Sequence, residues 1–227
     1  MKSATLDVIA GLNPEGEQPE ERKFQVEKDK ALEELVDVFT ELFYDPLPLG
    51  YNEILPLTPE KVAAEHITKL ALLVRPTELN ADFLGTYLAA LINKSADTHH
   101  VLHLQSQPEP LYFIGYKLPE GKRLTVYGNV GWHFGDGNQG ELALNGSAQE
   151  FLGMDNWGKI TVYGNGGNTL GIRNAGLIIV NGNAGSIWGA NRGEIHLNGD
   201  YVWITKRPCV LDGKIYHRGK LIAGEKV

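Results

Sequence analysis

The chain has 227 residues and carries 21 lysines and arginines against 28 aspartates and glutamates, a formal charge of −7. That acidic balance argues against nucleic acid and anionic membranes as partners. No apolar run approaches the ~20 residues of a membrane helix. Cys209 is the single cysteine, so no internal disulfide can form, and with no signal-peptide pattern in "LDVIAGL" a cytoplasmic location is expected.

In chain order, residues 15–22 are polar and read as a loop. Leu32, Leu35, Val36, Val38, Phe39, Leu42 and Phe43 recur at helical spacing from Asp29, and Asp45-Pro46 ends the run. "DPLPLGYNEILPL" holds three prolines and a glycine and is not expected to form a regular helix. Thr58-Pro59-Glu60 predicts the start of a second helix, with Val62, Ala63, His66, Ile67, Leu70 and Leu73 as its apolar stripe and Arg75-Pro76 as its close. Asn80 is expected to cap a third, faced by Phe83, Leu84, Tyr87, Leu88, Leu91 and Ile92. The stretch from His99 reads as extended chain, and "LYFIGYKL" as the strand that opens a sheet.

From Arg123 the sequence repeats. Starts at Arg123, Glu141, Lys159 and Leu177 give three gapless periods of 18 residues and a fourth one residue short, and Glu194 opens a fifth. Positions 2 and 4 are aliphatic, from Leu124 and Val126 to Ile195 and Leu197. Position 6 is glycine in Gly128, Gly146, Gly164, Gly182 and Gly199. Position 12 is apolar in Phe134, Leu152, Leu170 and Trp188, followed by Gly135, Gly153, Gly171 and Gly189. Each full period ends in Asn-x-Gly, the asparagines being Asn138, Asn156, Asn174 and Asn191.

One alternating strand and identical corners per period mean that each period makes one lap above the last, a coil of a parallel β-helix. Glycine is expected at the corners for its freedom at positive φ, and asparagine for an amide that stacks on the next coil. Inward positions 2, 4 and 12 do not divide into sixes, which favours a right-handed helix over a left-handed hexapeptide one, as does the general handedness of parallel crossovers. The expected fold is therefore α+β: a mainly helical domain over 1–110, then a single-stranded right-handed parallel β-helix of about four to five coils over 111–227. The helical half is expected to cover one end or flank, and a C-terminal hairpin turning at Asp212-Gly213 the other end.

The motifs Gly128-x-x-Gly131-x-x-x-Gly135, Gly164-x-x-Gly167-x-x-x-Gly171 and Gly182-Asn183-Ala184-Gly185-x-x-x-Gly189 resemble the glycine-repeat domain that closes the large subunit of glutamate synthase. One of the polypeptides of formylmethanofuran dehydrogenase has a similar domain. The second period departs, with Gln149 in place of the middle glycine, and the resemblance covers Leu124 to Asp200. It implies a right-handed β-helix with a structural, contact-making role. It transfers no catalytic residue: no N-terminal cysteine nucleophile, iron–sulfur cysteine cluster or flavin-barrel sequence is present.

The chemistry-bearing candidates are few. His99, His100 and His103 are the candidate metal ligands. On a strand, His99 and His103 stand about 13 Å apart and cannot share an ion; on a helix they would be neighbours. His133 and His196 are candidate general bases without a carboxylate partner evident from spacing. "GNGGNTLG" reads as a corner, because a phosphate loop occurs once and leads into a helix. Tyr127 and Tyr163, with Asn145, Asn181 and Asn198 at the same position, face outward on a flank that either the helical half or an external partner covers.

The sequence thus points to a non-catalytic scaffold or assembly component without cofactors, binding a protein partner or a second copy of itself. The alternative is a hydrolase or transferase, metal-dependent in one version, with a site between the helical domain and the β-helix. Polysaccharide binding on a flat flank ranks below both.

Overall fold

The computed structural model describes residues 29–44, 49–188, 190–204 and 212–224. Among the described residues four helices come first: α1 (Lys30–Phe43), α2 (Tyr51–Leu57), α3 (Ala64–Leu73) and α4 (Ala81–Lys94). Ten strands follow: β1 (His99–His103), β2 (Arg123–Tyr127), β3 (Glu141–Asn145), β4 (Lys159–Val162), β5 (Leu177–Val180), β6 (Ala184–Ile187), β7 (Glu194–Leu197), β8 (Tyr201–Ile204), β9 (Lys214–His217) and β10 (Lys220–Ala223). Strands β1, β2, β3, β4, β5, β7 and β9 stack in parallel in that order, and β10 closes the sheet antiparallel to β9. The fold is α+β, with a right-handed parallel β-helix behind a helical cap.

The repeat is visible in the register. Arg123 pairs with Glu141, Glu141 with Lys159, Lys159 with Leu177 and Leu177 with Glu194, so equivalent positions lie one above another. Positions 2 and 4 point inward and are fully buried in every coil from Leu124 and Val126 to Ile195 and Leu197. The interior also holds a polar column. Asn138 Nδ2 donates to Asn156 Oδ1 at 2.8 Å, Asn156 to Asn174 at 2.7 Å and Asn174 to Asn191 at 2.8 Å, all four side chains being buried. Each amide also donates to the carbonyl two residues on, Gly140 for the first and Gly193 for the last. Buried amides persist only when paired in this way.

The glycines divide by cause. At position 13, Gly135, Gly153 and Gly171 have φ of 70, 66 and 74°, as a left-handed corner requires. At position 6 only Gly128 has positive φ, and at the period-ending position none does. There the cause is close approach: a Cβ on Gly158, Gly176 or Gly193 would stand 2.0–2.1 Å from the carbonyl oxygen of the glycine one coil below. The conformational explanation expected for all the corners is thus corrected to a steric one for two of the three columns.

The fourth coil departs from its expected alignment. Ile187, not Trp188, occupies inward position 12: it bridges to Leu170 and is fully buried, while Trp188 is 41 % exposed. The missing residue is the left-handed one of position 11, which is His133, Phe151 and Thr169 in the coils before, at φ of 63, 60 and 62°. Without that bend the chain stays extended as β6, which pairs with β8. Gly189 and Cys209 lie outside the described residues.

The solenoid begins before residue 111. The sheet opens at β1, whose residues His99 to His103 pair with Arg123 to Tyr127. "LYFIGYKL" is not a strand but the bent side of this first coil: Phe113, Gly115 and Lys117 have φ of 56, 73 and 49°, matching His133, Gly135 and Gly137 one coil on. Apolar β-prone side chains sit there because the coil's corners, not its propensities, decide the backbone. At the other end the hairpin turns at Arg218-Gly219, not Asp212-Gly213. Gly213 instead continues the glycine column, its Cβ position 2.4 Å from Gly193 O.

The helical half covers the N-terminal end of the stack. α3 lies against β1, and Thr68 Oγ1 donates to Val101 O at 2.6 Å. Gln107 Nε2 donates to Ala71 O, and Lys122 Nζ to the carbonyls of Ile92 and Ser95 at the close of α4. α4 supplies much of the shared core, with Leu84, Tyr87, Leu88, Leu91 and Ile92 buried. Two helix starts differ from expectation. α2 forms within the proline-rich stretch because Pro46 and Pro48 fall before it and Pro56 sits in its last turn, while buried Ile54 anchors it. α3 starts at Ala64, not Thr58, because the Asp97 carboxylate accepts from Ala64 N at 2.7 Å across the fold, and Thr58 instead donates to Leu55 O.

Candidate functional site

Strand β1 places His100 inward and His99 and His103 outward. His100 is 1 % exposed, with Nε2 3.0 Å from Asp97 O and Nδ1 buried without a partner. His99 Nε2 lies 3.4 Å from Thr125 Oγ1, and the His103 ring stacks on Tyr127 at 5.1 Å. The three imidazoles do not converge. Among the described residues no group of three His, Cys, Asp or Glu side chains comes together as metal ligands would.

The two repeat-region histidines do have carboxylates, contrary to the expectation from spacing. His196 Nε2 is 3.1 Å from Glu194 Oε2 on the outer face of β7. The His133 ring lies flat between Phe113 and Phe151, at 4.8 and 4.9 Å, and its Nδ1 is 3.3 Å from Asp136 Oδ2, outside hydrogen-bond geometry. The signal was in the sequence as His-x-x-Asp, which on a strand points the two apart. The left-handed residue His133 and Gly135 fold them together.

Burial raises the Asp136 carboxyl above its ordinary value, and the charge of His133 opposes that only in part. A raised folded-state value means that the group favours folding fully below its unfolded value of 3.8, and that this favour is lost as pH rises through the folded value. Asp136→Asn should therefore stabilise the protein near neutrality, and by less in acid. Urea unfolding of both forms at two pH values checks this.

The junction between cap and first coil holds a cleft of about 410 Å³, lined by Leu42, Phe43, Tyr51, Phe83, Phe113 and Tyr116 among others. Its polar lining includes Asp82, Thr86 and Tyr51, whose hydroxyl accepts from Asn93 Nδ2 at 2.6 Å and whose pKa is raised by burial. Lys117 Nζ stands over the Tyr51 and Tyr116 rings at 5.4 and 5.2 Å. None of His99, His100 and His103 lines this cleft. Tyr51, Asn93 and Lys117 are far apart in sequence, and only the packing of α2 and α4 on the first coil unites them.

No family model, curated protein or solved structure matches the chain. The eight-stranded sheet turns a continuous outer face away from the core. Tyr127 and Tyr163 are 37 % and 56 % exposed on it, so the helical half does not cover this flank. An ion-pair ladder, Arg123 to Glu141 at 2.7 Å and Glu141 to Lys159 at 3.1 Å, runs beside them. Asn198 Nδ2 donates to Asn181 Oδ1 at 2.7 Å in the row that holds the tyrosines. Side chains stacked from coil to coil have little freedom left to lose on docking, which favours association.

Proposed function

We propose that the chain is a non-catalytic scaffold or assembly component that docks through the outer face of its sheet. The observation that carries this reading is the pair of exposed tyrosines, Tyr127 and Tyr163, on a rigid face, shared with outward Leu177 and Ile179, that the protein's own helical half leaves open. The repeat that resembles the glutamate synthase glycine-repeat domain supports the same role. The partner is a protein, and the test case is a second copy of this chain.

Light scattering coupled to size exclusion tests it. The purified protein should have a mass that is a multiple of 25.0 kDa, and Tyr163→Asp should reduce it to one copy with an unchanged circular dichroism spectrum. A monomer at every concentration, with no stoichiometric protein retained through purification, overturns the reading.

A second reading rests on the junction cleft, whose aromatic walls and polar groups, from Tyr51, Asp82 and Thr86, suit a small ligand. It places a hydrolase or transferase site there, without the three histidines of β1.

A further inference from the structure

His100 occupies the inward column that Leu124, Leu142 and Ile160 continue. It is the imidazole in a row of aliphatic side chains, directly beneath the helical cap. Its surroundings are the fastenings of that cap. Asp97, whose backbone carbonyl lies 3.0 Å from His100 Nε2, holds the start of α3 through its carboxylate. Ser95 Oγ donates to Val62 O at 2.6 Å, just before α3. Lys122 Nζ holds the last carbonyls of α4. The charged groups that act on His100 are the Lys122 ammonium, the Asp97 carboxylate and its strand neighbour His99.

A neutral imidazole fits this site. Nε2–H donates to Asp97 O, and Nδ1 carries a lone pair. An imidazolium does not fit: its second N–H would face a buried position with no acceptor, beside an ammonium that already serves two carbonyls. The first coil cannot yield readily, because β1 is paired with β2 over its full length. The cap is joined to it almost entirely by single side-chain bonds, from Thr68, Asn93, Gln107 and Lys122, and not by a strand ladder, so the relief falls on the cap as local opening.

We propose that His100 is an acid-sensitive latch: protonation of its imidazole releases the helical cap from the first coil while the remaining coils stay folded. Burial holds the imidazole below its ordinary value of 6.5, and the Asp97 carbonyl opposes this less strongly. With the folded-state value lowered, the docking free energy is whole above 6.5 and is lost as pH falls from there through the folded value.

Hydrogen exchange of the full chain at about pH 7.5 and about pH 5.5, corrected for intrinsic rates, tests the latch. In the wild type, amides of α3 and α4 should lose protection in acid by up to about tenfold, while β3 to β7 keep theirs. His100→Leu restores the aliphatic column and should keep cap protection at both values. His100→Gln retains a donor for Asp97 O and should do the same, which keeps the test valid if the leucine form misfolds. Cap protection that is equal at both pH values in the wild type overturns the latch. So does acid loss that persists in both variants, or that spreads evenly over all coils.

Discussion

Gly176→Ala should destabilise the protein by about 3 kcal/mol or more, a large effect for a single added methyl group. The new Cβ would lie 2.1 Å from Gly158 O and 2.6 Å from the Trp157 carbonyl carbon. Both neighbours are backbone, so no side chain can turn aside. The coils cannot separate locally, because Gly176 N donates to Asn156 O and Leu177 N to Gly158 O, each at 2.9 Å. Gly121→Ala is the control. Gly121 has φ of 80° but nothing within 4 Å of its Cβ position. Its alanine form bears only the left-handed penalty, about 1 kcal/mol. Gly135→Ala adds contacts to the tips of Ile160 and Leu142, which can shift, and should fall between the two. Urea midpoints of the three variants rank them; equal costs for Gly176→Ala and Gly121→Ala would refute the steric account.

Asn156→Asp exchanges one nitrogen for oxygen in the middle of the amide column and should cost about 3 kcal/mol or more at neutral pH. Asn156 Nδ2 donates to both Asn174 Oδ1 and Gly158 O. A carboxylate there would set oxygen against oxygen at both contacts and bury an uncompensated charge. Protonation restores one donor, so the variant should regain part of its stability as pH falls, opposite to the ordinary acid response of carboxylates. Asn156→Ala leaves Asn138 its bond to Gly140 O and Asn174 Oδ1 its bond from Gly176 N, and should cost less, about 2 kcal/mol. Thermal unfolding of both variants across pH separates the charge effect from the lost bonds.

What could be read in advance follows from the range of the forces. The coils are legible because each repeats one physical solution, so four imperfect copies of Asn-x-Gly and of the aliphatic pair reinforce one another. The first coil is not, because His100 and Leu104 stand where later coils have an aliphatic residue and a glycine. The start of α3 reads as Thr58 in the sequence because its real cap comes from Asp97, 33 residues away. Trp188 reads as inward because a one-residue omission can be aligned on either side of an apolar residue, and only the bridge from Leu170 to Ile187 decides between them. Of the candidate sites, the outward row of Tyr127 and Tyr163 is legible from alternation. The pairing of His133 with Asp136 is not, because it depends on a backbone bend that a non-glycine residue makes.

All three bonds of the amide column run the same way, from donor in the earlier coil to acceptor in the later one. The stack is therefore polar, like a filament with unlike ends, and its ladder could be prolonged only head to tail. Neither end permits that. Helix α3 blocks one terminus, and at the other β10 reverses direction against β9. The same chain that carries a template for indefinite growth thus also encodes its own terminators, so that the amide ladder does not run on from one copy into the next.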